Sequence, residues 1–130
     1  DGYRLQLHKE SEQAFLFSKD FTARFIAKSV AASVQKLVLD AEGVALDVEG
    51  RPDFRALVGG QSHSRVAMCF DLLEIDGRDL RALPLVTRRA RLKAFLKRAD
   101  DELLRYSNTL RMPRSCSPHS MSVVWRVRFR

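Results

Sequence analysis

The chain has 130 residues, 45% of them hydrophobic and 30% charged, with a formal net charge of +7. That length supports one hydrophobic core and so one domain; no apolar run reaches the roughly 18 residues of a membrane span, and no basic segment followed by an apolar stretch marks a secretory leader. The positive surplus invites a nucleic-acid partner, but residues 1–107 carry 18 Lys and Arg against 16 Asp and Glu, while residues 108–130 carry five Arg and no acid. The imbalance therefore belongs mostly to the tail.

The first residue is Asp rather than Met, so the natural sequence is expected to continue upstream. From Tyr3 to His8, Tyr3, Leu5 and Leu7 alternate with Arg4, Gln6 and His8, the period of a half-buried strand. A polar turn over Glu10 to Gln13 and a second short strand, Ala14 to Phe17, complete a hairpin. Thr22 can cap a helix running to about Lys36, with Phe25, Ile26, Val30, Ala31 and Val34 on one side. Two short strands follow, Leu37–Asp40 and Val44–Val48, the second ending at the turn dipeptide Glu49-Gly50. Pro52 opens a short turn or helix carrying Phe54 and Leu57, and residues 59–62 form a surface loop. Val66 to Ile75 is almost wholly apolar, which predicts a central strand. Leu83-Pro84 starts a helix to about Ala99, with Leu85, Leu92, Phe95 and Leu96 on one stripe, and Leu103 to Ser107 reads as one more strand. Beyond Asn108 the texture changes to Ser, Pro and Arg, until Val123, Trp125, Val127 and Phe129 alternate with Val124, Arg126, Arg128 and Arg130 as a terminal strand or a basic aromatic arm. Strands with interspersed helices make this an α+β domain.

Cys69 and Cys116 are far apart, with no Cys-x-x-Cys and no His/Cys cluster at zinc spacing. Cys69, inside an apolar run, reads as a reduced buried thiol, which suits a cytoplasmic protein. His8, His63 and His119 are isolated and read as surface or half-buried residues.

Four strings share the features of one family. They are Asp1-Gly2-Tyr3-Arg4; Leu39-Asp40-Ala41-Glu42-Gly43-Val44-Ala45-Leu46-Asp47; Asp47-Val48-Glu49-Gly50-Arg51-Pro52-Asp53-Phe54; and Phe70-Asp71-Leu72-Leu73-Glu74-Ile75-Asp76-Gly77 running into Arg78-Asp79-Leu80-Arg81-Ala82-Leu83-Pro84-Leu85. Over residues 1–107 the chain resembles the adenylation domain of ATP-dependent DNA ligases, of the bacterial ligase D type, leaving 108–130 as a divergent basic tail. The resemblance implies a partial nucleotidyltransferase fold, ATP-grasp-like, of antiparallel strands with packed helices. It also implies an enzyme activity in DNA repair or recombination. A Lys amine attacks the α-phosphate of ATP and expels pyrophosphate, the adenylate passes to a 5′-phosphate at a nick, and a 3′-hydroxyl displaces AMP.

The family motif is Lys-x-Asp-Gly-x-Arg, and Asp1, Gly2 and Arg4 match its second half; the nucleophilic Lys lies upstream of Asp1, so no catalytic nucleophile is assigned within the chain. By resemblance, Gly2 gives a tight turn beside the nucleotide, Arg4 contacts ribose or phosphate, Glu42 touches the ribose or helps organise Mg²⁺ or Mn²⁺, and Phe70 stacks on adenine. Asp71 is expected to fix backbone. The family Gly is Ala41 here, and Gly43 stands where an apolar residue is usual, so an added Cβ is expected to shift that loop. Lys19 is at best a stand-in for the family Arg near the nick phosphate. Arg81, Arg88, Arg89, Arg91, Lys93, Lys97 and Arg98 read mostly as a solvated face, some of it near DNA phosphate. The family's downstream Glu-Gly-x-x-x-Lys and Trp-x-Lys-x-Lys motifs have no counterpart, and the tail reads as a frameshifted or degenerate end. The chain alone is therefore expected to lack ligase turnover, with nicked or broken duplex DNA and end-joining proteins as partners of the full-length protein and no membrane partner. The alternatives are a non-catalytic remnant that binds nucleotide or DNA, and the product of a degenerate gene.

Overall fold

In the computed structural model, residues 3–11, 13–18, 34–53, 55–56, 64–99, 102–108 and 123–128 are described. The expected helix from Thr22, Lys19, the 59–62 loop, His63 and His119 lie outside them. The described strands are β1 (Tyr3–Glu10), β2 (Gln13–Ser18), β3 (Lys36–Leu46), β4 (Ser64–Ile75), β5 (Arg78–Asp79), β6 (Leu104–Tyr106) and β7 (Val123–Arg128), with one described helix, α1 (Leu85–Ala99).

The strands form one sheet in the order β5-β4-β3-β1-β2-β7, and β6 pairs with β4 along the edge away from β3. All pairings are antiparallel except β4–β6, which is parallel. The expectation of antiparallel strands thus holds for every pairing but one. The parallel pair arises because α1 crosses over from the β5 end and returns the chain alongside β4 in the same direction, the usual reason for a helix between parallel neighbours.

The alternation in β1 is as the sequence reads: Leu5, Leu7 and Lys9 are buried, while Arg4, Gln6 and His8 are half-buried on the other face. The core lies between the sheet and α1. It joins Leu5 and Leu7 of β1, Leu37, Leu39, Ala41 and Ala45 of β3, Ala67, Cys69 and Leu72 of β4, Leu92, Phe95 and Leu96 of α1, and Leu104 of β6. Cys69 is a buried free thiol, as expected. Lys9 is the exception on that face: burial pushes its ammonium below the ordinary range, and its Nζ donates to the Val34 carbonyl. On the opposite face a smaller cluster joins Val44, Leu46 and Val66, with Met68 packed against it.

Two expected elements differ. Lys36 opens β3 rather than closing a helix, and β3 runs unbroken through residues 40–44, where two short strands were expected. Gly43 interrupts the apolar pattern but not the ladder, because β1 and β4 hold β3 from both sides: Gly43 pairs with Tyr3 and with Ala67. Turns supply the punctuation instead. Ser11, in the β1–β2 connection, has φ 52, and Asp76 and Gly77 between β4 and β5 have φ 48 and 81, the positive pair that matches a tight hairpin to strand twist. After β3, Asp47 Oδ1 accepts the backbone N–H groups of Glu49 and Arg51 at 2.9 Å each, closing the turn at Gly50.

Candidate functional site

Cross-strand register places the polar residues of the face away from α1. Arg4 on β1 is directly opposite Glu42 on β3, which is opposite Met68 on β4. Residues opposed in this way share a face, so two of the five expected nucleotide contacts are neighbours. Arg4 nevertheless does not pair with Glu42. Its Nη2 donates to Asp40 Oδ2 at 3.0 Å, one step diagonally along β3, and the Asp40 side chain is only 9% exposed. Arg4 Nε and Asp40 Oδ1 are buried without a hydrogen-bond partner among the described residues. Further along the face, His8 Nε2 lies 3.1 Å from Gln6 Oε1, and Lys36 pairs with Glu74 at 3.0 Å, which raises the Lys36 ammonium above its ordinary value.

Phe70 sits where β4 departs from regularity. Ala41 pairs with Cys69, but Asp40 pairs with Asp71, so Phe70 is an extra residue in β4; a second irregularity follows at Leu73, between the pairs Leu39–Leu72 and Val38–Glu74. Bulges bend the strand and re-aim side chains. Here the bulge brings a half-buried Phe70 to β4 two residues beyond Met68, the cross-strand neighbour of Glu42. Asp1 and Gly2 lie outside the described residues. Ala41, in place of the family glycine, faces the core with 1% of its surface exposed, so its methyl is accommodated by Leu5 and Cys69, its strand neighbours, rather than set against the polar face.

The residues that hold the bulge were not recognised as such in the sequence. Asp71 is 8% exposed, and its two oxygens accept a fork from Arg88: Nε to Oδ1 and Nη2 to Oδ2, both 2.9 Å. Asp71 Oδ1 also accepts the Leu72 N–H at 2.9 Å, so the carboxylate fixes backbone, as expected. Arg88 Nη1 donates to the Leu83 carbonyl at 2.7 Å, and the carboxylate partner raises its guanidinium further above its ordinary range. Arg89 donates to the carbonyls of Phe70 at 2.9 Å and Ser107 at 2.6 Å, and its guanidinium lies 4.9 Å from the Tyr106 ring centroid. The expectation of a solvated basic face thus holds for Arg91, Lys93, Lys97 and Arg98, which are exposed, and fails for Arg88 and Arg89, which turn inward. The signal was present: Arg88 and Arg89 precede the buried Leu92 by four and three residues, which puts them on the inward side of the helix.

Among the described residues no three His, Cys, Asp or Glu side chains are grouped to hold a metal ion. Mg²⁺ often takes only one or two carboxylates and fills its shell with phosphate oxygens and water. Glu42, which Arg4 bypasses for Asp40, fits that limited role.

This curled, mostly antiparallel sheet with its helix is the fold of a DNA ligase domain. It matches the ligase domain of LigD from M. tuberculosis with a TM-score of 0.69 at 30% identity, over 83% of this chain and 38% of that one. It also matches a mycobacterial DNA ligase D complexed with ATP and MES, with a TM-score of 0.63 at 33% identity, over 75% of this chain and 35% of that one. The chain belongs to the ATP dependent DNA ligase domain family, whose pattern covers residues 1–111. It is 41% identical over 120 residues to the multifunctional non-homologous end joining protein LigD of Pseudomonas aeruginosa, and 33% identical over 128 residues to a probable DNA ligase of Streptomyces coelicolor. The aligned part is 85% of this chain in both cases, but 14% of the first relative and 24% of the second.

Proposed function

We propose that the chain is the nucleotide-binding part of a partial nucleotidyltransferase domain, and that it works within an ATP-dependent DNA ligase that seals nicked or broken duplex DNA in end joining. The observation that carries this reading is the pairing of Arg4 opposite Glu42 beside the bulged Phe70. In this reading Phe70 stacks on adenine, Glu42 accepts a ribose hydroxyl, and Arg4, held by Asp40 and partly exposed, turns its guanidinium to ribose or phosphate oxygen. By the family motif, Asp1 and Gly2 belong to the same nucleotide site. A Mg²⁺ or Mn²⁺ ion at Glu42 would neutralise phosphate charge. None of these residues is a lysine, so in this reading they position ATP and do not themselves attack its α-phosphate.

The test is equilibrium binding of ATP to the chain, together with incubation with α-labelled ATP and Mg²⁺. The expected result is ATP binding that Arg4→Met weakens by about tenfold, the scale of a charge-assisted hydrogen bond, and no label retained on the denatured protein. Unchanged affinity in both Arg4→Met and Glu42→Gln removes the nucleotide site, and a covalent adenylate overturns the inactivity of the chain. DNA binding is tested on a nicked duplex across a salt series. Affinity that falls linearly on a logarithmic plot supports phosphate contacts, and no response to salt rejects them.

A further inference from the structure

We infer that Arg89, seconded by Arg88, is a positioning residue that sets the Phe70 bulge in the geometry an adenine base requires. This rests on the reading of Phe70 as the adenine platform. A bulged residue stands outside the regular ladder, so something other than cross-strand pairing must fix its backbone. Here two consecutive residues of α1 hold two consecutive residues of the bulge. Arg89 Nη1 donates to the carbonyl of Phe70 at 2.9 Å, and Arg88 forks onto the carboxylate of Asp71. Arg89 Nη2 meanwhile donates to the Ser107 carbonyl at 2.6 Å, and its guanidinium stacks toward Tyr106 at 4.9 Å. One planar cation thus ties the bulge to the strand that follows α1, while Leu92, Phe95 and Leu96 anchor the helix carrying it in the core. The backbone that carries the residue 70 ring is thus held by a helix packed on the core.

A lysine cannot reproduce this. It keeps the charge near Tyr106 but has no rigid fork to serve two carbonyls in one plane. The substitution Arg89→Lys therefore separates a positioning role from a general need for a cation.

The experiment is calorimetric titration of the 130-residue chain with ATP and, separately, with inorganic tripolyphosphate, which has the charge but no base. The variants are Phe70→Leu, Arg89→Lys and Arg89→Met. Phe70→Leu and Arg89→Lys are each expected to weaken ATP by about tenfold, the scale of one base stack, with tripolyphosphate affinity unchanged. Wild-type ATP affinity in Arg89→Lys, with ATP weakened in Phe70→Leu, overturns the positioning role and leaves the adenine platform standing. Wild-type affinity in Phe70→Leu, or no ATP binding by the unsubstituted chain, overturns both. Equal loss of ATP and tripolyphosphate in Arg89→Lys reports general loss of structure and also overturns the positioning role. If Arg89→Met does not melt cooperatively, Arg89→Lys carries the test.

Discussion

His8 occupies the open face of β1 beside Gln6, and its environment makes it a reporter of that face. Burial pushes the imidazole below its ordinary 6.5, against the opposing pull of the Asp40 and Glu74 carboxylates. The unfolded chain therefore takes up a proton near that value, while the folded chain refuses it until the pH is lower. The unfolded state binds more protons in that window, so stability is complete above about 6.5 and declines as the pH drops below it. Urea midpoints measured from pH 8 to pH 5 should show the decline, and His8→Gln should flatten it. At the Phe70 bulge, Arg88 and Asp71 are 16% and 11% exposed in their side chains. Breaking a fully buried ion pair costs about 3–5 kcal/mol, and the partial exposure here brings Arg88→Met to about 2–3 kcal/mol, measurable by urea unfolding. Replacing Asp71 by Leu in the same chain should recover part of the loss, because no unpaired carboxylate is then left behind.

At the scale of elements, turns and bulges decide more than propensity. The β4–β5 hairpin depends on Gly77 at φ 81, and a Cβ built there meets nothing within 4 Å. Gly77→Ala therefore carries only the backbone penalty of a left-handed residue, about 1 kcal/mol, with no steric clash added. A lowered melting temperature with unchanged circular dichroism would bear this out; an unchanged melt would show that the turn relaxes at no cost. Asp76, the other positive-φ residue, also ties the hairpin to the start of β3: its Oδ1 accepts the Gln35 N–H at 3.1 Å, and its own N–H donates to the Lys36 carbonyl at 2.7 Å. The dipeptide Asp76-Gly77 announces its turn in the sequence. The β4 bulges do not announce themselves, because Phe70 and Leu73 are ordinary strand residues, and only the register of β3 against β4 makes them extra.

For the molecule as a whole, one core between sheet and helix carries the stability. Phe95 is 1% exposed within it and Cys69 is fully enclosed. Phe95→Ala should cost about 3–5 kcal/mol by lost transfer and cavity terms. In a Cys116→Ser background, reaction of Cys69 with a thiol reagent should be slow in the wild type and faster by about a hundredfold or more with Phe95→Ala, following the larger opened population. Equal rates would mean that Cys69 is reached by a local fluctuation that leaves this core intact. The same architecture joins β7, in the part of the sequence that reads as divergent tail, to the sheet edge at β2. Its alternation of Val123, Trp125 and Val127 left a terminal strand and a basic aromatic arm both open, and the pairing with β2 decides for the strand.

The sequence by itself determined the family, the alternation of β1, the length and stripe of α1 and the turn at Asp76-Gly77, and it nominated Arg4, Glu42 and Phe70 as contacts. These are local or linear properties: a period, a dihedral demand, a string of residue types. Only the tertiary structure decided that Arg4 answers to Asp40 rather than to Glu42, that Ala41 belongs to the core, that β3 runs unbroken, and that Arg88 and Arg89 grip the bulge at Phe70 instead of facing solvent. Each of these depends on the register between strands distant in sequence and on the docking of a helix across them. The physical reason is that an ion pair or a bulge is defined by what lies opposite, and the chain fixes that only when the sheet has closed around its core.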